Sequence, residues 1–129
     1  MIHSFVRPRE VPWSLLAGLL LAVLCIPAVG AEPLQYNRDI RPILAEHCFA
    51  CHGPDSAARK AELRLDNREL AIMSGAISAG KPKLSEMVTR IFSGDADQLM
   101  PPPETKKQLS SAQKQLLKRW IASGAEYEA

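Results

Sequence analysis

Short blocks of apolar residues at helical spacing, separated by polar and proline-rich stretches, run through residues 36–129. They predict short helices joined by long loops, with no sheet of consequence. Ile40, Ile43, Leu44, His47/Cys48 and Cys51 share one helical face, and Pro42, tolerated in a first turn, places the start near Arg41. Gly53-Pro54-Asp55 ends that helix, and residues 56–62 read as an exposed polar loop. Leu63 and Leu65 flank Arg64 in an extended or turn-like stretch that points two leucines inward. Asp66-Asn67-Arg68-Glu69 has the form of a capping box and opens a helix ending at Gly75. After a loop over 76–83, Ser85 is expected to cap a helix whose apolar positions are Met87, Val88, Ile91 and Phe92, stopped by Gly94. Residues 95–105 contain Pro101-Pro102-Pro103, which predicts an extended, semi-rigid path without regular structure. The last helix has the clearest signals: a Ser110/Gln113 capping box, an apolar face of Leu116, Leu117, Trp120 and Ile121, and Gly124 as its stop.

The N-terminus differs in kind. Arg7 and Arg9 precede an apolar stretch from Trp13 to Val29, and small residues follow at Ala28, Gly30 and Ala31. This is the pattern of an export signal over residues 1–31, cleaved after Gly30 or Ala31. The alternative is a retained membrane anchor, barely long enough to span and bounded by Pro12 and Pro27. Leu24 before Cys25 is bulkier than lipidation sites accept, and cleavage removes Cys25, leaving Cys48 and Cys51 and no thiol for a structural disulfide. Either way the domain, residues 32–129, is expected outside the cytoplasm, in the periplasm or on the outer face of the membrane. Membrane contact is expected only if the N-terminal segment stays. Without Arg7, Arg9 and Glu10 the remainder has 14 basic and 13 acidic residues, and no basic patch suggests nucleic acid.

Cys48-Phe49-Ala50-Cys51-His52 carries the candidate chemistry. C-x-x-C-H is the attachment site of one covalent c-type haem: two thiols add to the vinyl groups and the adjacent imidazole reaches the iron. Residues i, i+3 and i+4 of a helical turn lie on one face, so Cys48, Cys51 and His52 all address one side of a flat ring. A domain this small has a marginal core by itself, and a buried haem adds apolar surface to pack against.

A second axial ligand keeps small molecules off the iron, and a methionine thioether favours Fe(II). The candidates are Met73, Met87 and Met100. Met87 sits on an apolar helical face, where packing is the expected role. Met73 lacks a rigid neighbour. Met100 precedes three prolines that hold the loop presenting it, and is the preferred ligand. His47 shares the attachment side with His52 and is expected to be solvated or to support a neighbour. Trp120 is expected to anchor the core rather than relay electrons, and Lys106-Lys107 to be a solvated loop.

Residues 37–44 (NRDIRPIL), 48–55 (CFACHGPD), 63–66 (LRLD), 99–103 (LMPPP) and 120–125 (WIASGA) occur in an order that resembles the planctomycete-type cytochrome c domain. The resemblance implies an all-α, cytochrome c-like fold wrapped around one haem, in which the first and last helices cross beside it. It also implies attachment through Cys48 and Cys51 with His52 and Met100 as axial ligands. In that family the domain usually opens a much larger secreted chain, whereas this sequence stops at Ala129. A stand-alone carrier, a separate enzymatic partner and a truncated frame all fit that.

Three classes of function are weighed. The leading one is a non-enzymatic one-electron carrier that docks redox partner proteins, its donor and acceptor unspecified. The second is a small-molecule-binding or peroxidatic haem site, or the haem module of a larger secreted redox system, although no distal His or Arg constellation is evident. The third, a zinc or redox-disulfide site, suffers from consecutive ligands and the lack of a βαβ setting.

Overall fold

The computed structural model describes residues 32–128, and the segment read as an export signal lies outside them. The described residues form five α-helices: α1 Arg41–His47, α2 Phe49–His52, α3 Arg68–Met73, α4 Glu86–Ile91 and α5 Ser111–Ala122. No strand occurs among them, so the all-α expectation holds. None of these helices is long and apolar enough to cross a membrane.

Pro42 dictates the entry into α1. It sits in the first turn, where its missing N–H costs nothing. The residues before it, Tyr36–Ile40, form a π-helical turn in which the Arg41 N–H reaches back to the Tyr36 carbonyl. The sequence pattern did not announce this wider turn, because it changes which carbonyl is used and not which positions are apolar.

Two capping expectations change. Asn67, not Asp66, caps α3: its side chain accepts from the Leu70 N–H at 2.9 Å. Ser85 stands before α4 without capping it. Its fully buried hydroxyl instead donates to the carbonyls of Lys81 (3.2 Å) and Ser78 (3.3 Å) and accepts from the Ser78 N–H at 2.8 Å, stitching the preceding loop together. The Ser110/Gln113 box forms as read, at 2.8 and 3.2 Å. A single 3-10 turn, Pro103–Thr105, interrupts the stretch expected to be irregular, since proline at the start of such a turn gives up no needed N–H.

The core lies where the π turn meets α5. Ile40, Leu44, Leu117 and Ile121 are fully buried there. Tyr36, Trp120 and Tyr127 cluster beside them, with Tyr36 and Tyr127 stacked at 4.3 Å and Trp120 5.8 Å from Tyr36. Trp120 is thus a core anchor, its indole N–H donating to the Glu126 carbonyl at 3.0 Å. The meeting of first and last helical segments is made through this π turn. Truncating Ile121 to Ala is expected to destabilise the domain by roughly 2–5 kcal/mol, because a fully enclosed side chain leaves a cavity. Denaturant titration of the holo-protein reads that loss.

The ends are fastened as well. Arg68 donates to the carbonyls of Ala125 (2.8 Å) and Gly124 (3.0 Å), just past α5. The Glu128 carboxylate accepts the N–H groups of Tyr36 and Asn37, each at 3.1 Å.

Candidate haem-binding site

α1 breaks at Cys48 and α2 resumes at Phe49, so the motif occupies a short helical turn of its own. The His52 amide still donates to the Cys48 carbonyl at 2.8 Å, which keeps Cys48, Cys51 and His52 on one side. Gly53 then departs at a position where a Cβ would collide with the Phe49 carbonyl oxygen, so only glycine lets the chain turn away there. The loop that follows is exposed yet tied back: Lys60 N–H donates to the Cys51 carbonyl (2.7 Å) and Leu65 N–H to that of His52 (2.8 Å).

These ties enclose a cavity of about 450 Å³. Cys48, Cys51 and His52 form part of one wall, with Ala50. Leu63, Leu65 and Ala76 form another, Met87, Arg90 and Ile91 of α4 a third, and Met100, Pro101 and Pro102 a fourth, with His47, Ala61, Glu86, Thr105 and Lys107 also lining it. All four residues singled out from the sequence therefore face one space, contributed by segments far apart in the chain. Met73, in contrast, is 78% exposed and outside this space. Met87 is buried as expected, and its flank lines the cavity too.

The His52 ring is oriented by the Lys60 carbonyl, 3.2 Å from Nδ1. With Nδ1–H donating there, Nε2 is left with its lone pair, the form a metal requires. Burial pushes the His52 pKa below the ordinary imidazole range, against the opposing pull of the Lys60 bond, so the neutral ring is favoured. Burial, followed by the nearby Cys51, pushes the Cys48 thiol up to about 12. Among the described residues, no three His, Cys, Asp or Glu side chains gather as a metal site.

Residues 48–104 match the family model for planctomycete cytochrome C, from the first cysteine of the motif to the turn after the prolines. Over that stretch the chain is of the planctomycete cytochrome c type. No curated protein and no solved structure gives a match. Cytochrome c domains hold haem covalently, and the Cys48/Cys51 spacing is the one such attachment uses. The wall of this cytochrome domain fits that group: it is overwhelmingly apolar, with small alanines at 50, 61 and 76 leaving room for a flat ring. Its charged members are Glu86, Arg90 and Lys107.

Of the two roles expected for the histidine beside the motif, the structure shows the supporting one. The His47 side chain is only 8% exposed, not solvated. Its Nδ1 lies 2.7 Å from the Lys107 carbonyl and its Nε2 3.4 Å from the Gln113 amide nitrogen. Both nitrogens are thus taken by protein groups. Lys107 is also more than a solvated lysine, its ammonium donating to the Glu46 carbonyl at 3.2 Å. Nothing in the helical pattern signals these contacts, since they join segments about 60 residues apart.

Two partly buried, ion-paired carboxylates are placed so that acid should weaken the domain. Arg38 donates to Asp39 at 2.8 Å and holds its carboxyl down at about 2. Arg64 grips Asp66 at 2.6 and 2.8 Å and lowers it as well. A carboxyl lowered by folding adds stability above its unfolded pKa, and that stability fades as pH falls through the folded value. The loss therefore falls between about pH 4 and the Asp39 value of about 2. Melting temperatures measured across that range should fall less steeply in Asp66→Asn and Asp39→Asn than in the native protein. The effect is modest because both pairs are solvent-screened.

Proposed function

We propose that this domain is a one-electron carrier in which haem c is tethered by Cys48 and Cys51 and ligated by His52 and Met100. The observation that carries the reading is the convergence of these four side chains on one apolar cavity. Haem bound there supplies an iron that cycles between Fe(III) and Fe(II). The chain's own part is to hold and shield it. Cys48 and Cys51 provide the thioether sulfurs, and the Lys60 carbonyl keeps the His52 ring turned for ligation. Met100 presents a soft sulfur from a loop whose start is fixed by its N–H bond to the Arg90 carbonyl at 3.2 Å. Leu63, Leu65, Met87 and Ile91 exclude water, and the Arg90 and Lys107 cations are suited to the haem carboxylates. Electrons would pass to and from redox partner proteins outside the cytoplasm, with no enzymatic step on the carrier itself.

The test is the visible spectrum of the mature protein, oxidised and reduced, made with a haem-attachment system. Sharp low-spin bands with a thioether-to-iron charge-transfer feature are expected. A high-spin ferric spectrum would replace the carrier reading with a substrate-binding haem, and the absence of haem absorption would overturn the cofactor assignment itself.

A further inference from the structure

We propose that His47 is the latch that fastens the Met100 loop to the end of α1, just before the haem motif, a positioning role that rests on the reading of Met100 as an iron ligand. The loop after Met100 is braced internally. Gln108 donates to the Pro101 carbonyl at 2.7 Å, and the Thr105 amide and hydroxyl both reach the Pro102 carbonyl, at 3.0 and 2.7 Å. Lys106 N–H adds a bond to the Pro103 carbonyl at 3.2 Å. A segment braced in this way moves as one piece, so its attachments to the rest of the fold decide where Met100 sits. One attachment is the Met100 N–H bond to α4. On the other side stands the Lys107 carbonyl, which accepts from His47 Nδ1 at 2.7 Å on a ring almost wholly removed from water.

The Lys107 carbonyl can only accept, so His47 Nδ1 carries the proton, and a third element is arranged to match that tautomer. Gln113 Oε1 accepts the Ser110 N–H at 2.8 Å as half of the α5 capping box. The Gln113 amide must therefore turn its NH₂ toward His47 Nε2, 3.4 Å away. An NH₂ donor is matched only by a bare ring nitrogen, so the proton resides on Nδ1, where it bonds the loop. Glu46 stands 3.7 Å from Nε2 but is largely exposed, and Lys107 adds only a second, surface tie to the Glu46 carbonyl. The cap of α5 thus supports the imidazole tautomer that the Lys107 carbonyl requires, the one that ties the Met100 loop to His47.

The experiment uses the holo-protein with His47→Phe and His47→Asn, and two readouts. The first is the rate at which added imidazole binds the ferric iron, which requires Met100 to leave. The second is amide hydrogen exchange at Thr105, Lys106 and Lys107, which reports the loop directly. His47→Phe is expected to bind imidazole about tenfold faster and to lose protection at those amides, the loss of one buried hydrogen bond. His47→Asn keeps an N–H donor and is expected to recover most of both. Native-like rates and protection in His47→Phe would overturn the latch. If the native spectrum lacks the thioether feature, the Met100 assignment fails, and the exchange data still decide on the latch alone. Should His47→Phe not accumulate with haem, Gln113→Ala is compared with Ser110→Ala, which weakens the same cap but keeps the amide at His47. A faster opening in Gln113→Ala alone supports the latch, and equal rates overturn it.

Discussion

The Cys48→Ser, Cys51→Ser double variant is expected to carry no haem that survives denaturation. Serine keeps the size and the turn of the motif but has no sulfur to form a thioether, so denaturing gels stained for haem should be blank where the native chain is bright. The effect on stability should also be large. The cavity is about 450 Å³, and the wall formed by Leu63, Leu65, Met87 and Ile91 has little to pack against if haem leaves it. Either single variant should retain one thioether and stain, with a lower yield. Retained covalent haem in the double variant would show that another side chain makes the attachment, and would remove the ground for assigning Cys48 and Cys51.

Met100→Ala should lower the reduction potential by on the order of a few tenths of a volt, within the roughly 0.8 V over which axial ligands tune haem. A thioether prefers Fe(II), and water or hydroxide in its place prefers Fe(III). The charge-transfer feature should vanish, and carbon monoxide should bind the reduced protein readily. The control that gives this variant its meaning is Met87→Leu. Both methionines line the cavity, yet Met87 lies within the regular helix α4 and is 7% exposed, as a packing residue would be. Met87→Leu should leave the potential and the spectrum unchanged. If the two variants exchange behaviours, the ligand is Met87 and the proline loop only closes the site.

How much of this was legible in the sequence depended on whether a signal was local. The α5 capping box and its face of Leu117, Trp120 and Ile121 were readable because every contributor lies within one helix. The C-x-x-C-H turn was readable for the same reason. Ser85 misled because a serine before a helix has two uses for its hydroxyl, and here the loop carbonyls of Ser78 and Lys81 claim it. Phe92 was counted with the buried face of α4, yet it follows the last helical residue and is 41% exposed, with the Lys114 and Lys118 ammonium groups near its ring. The Lys60 carbonyl and the Lys107 carbonyl were invisible beforehand: a backbone acceptor has no residue-type signature, and only the folded loop shows which one reaches a given imidazole.

The grip of Glu128 on the amides of Tyr36 and Asn37 has a consequence for anything joined to this domain. Polypeptide preceding Tyr36 and polypeptide following Glu128 both start from one spot on the surface, so they share a pivot. A linker on either side would swing the domain through nearly the same arc, and, if the domain is the proposed carrier, the linker's own length would set how far an electron travels before it is handed on.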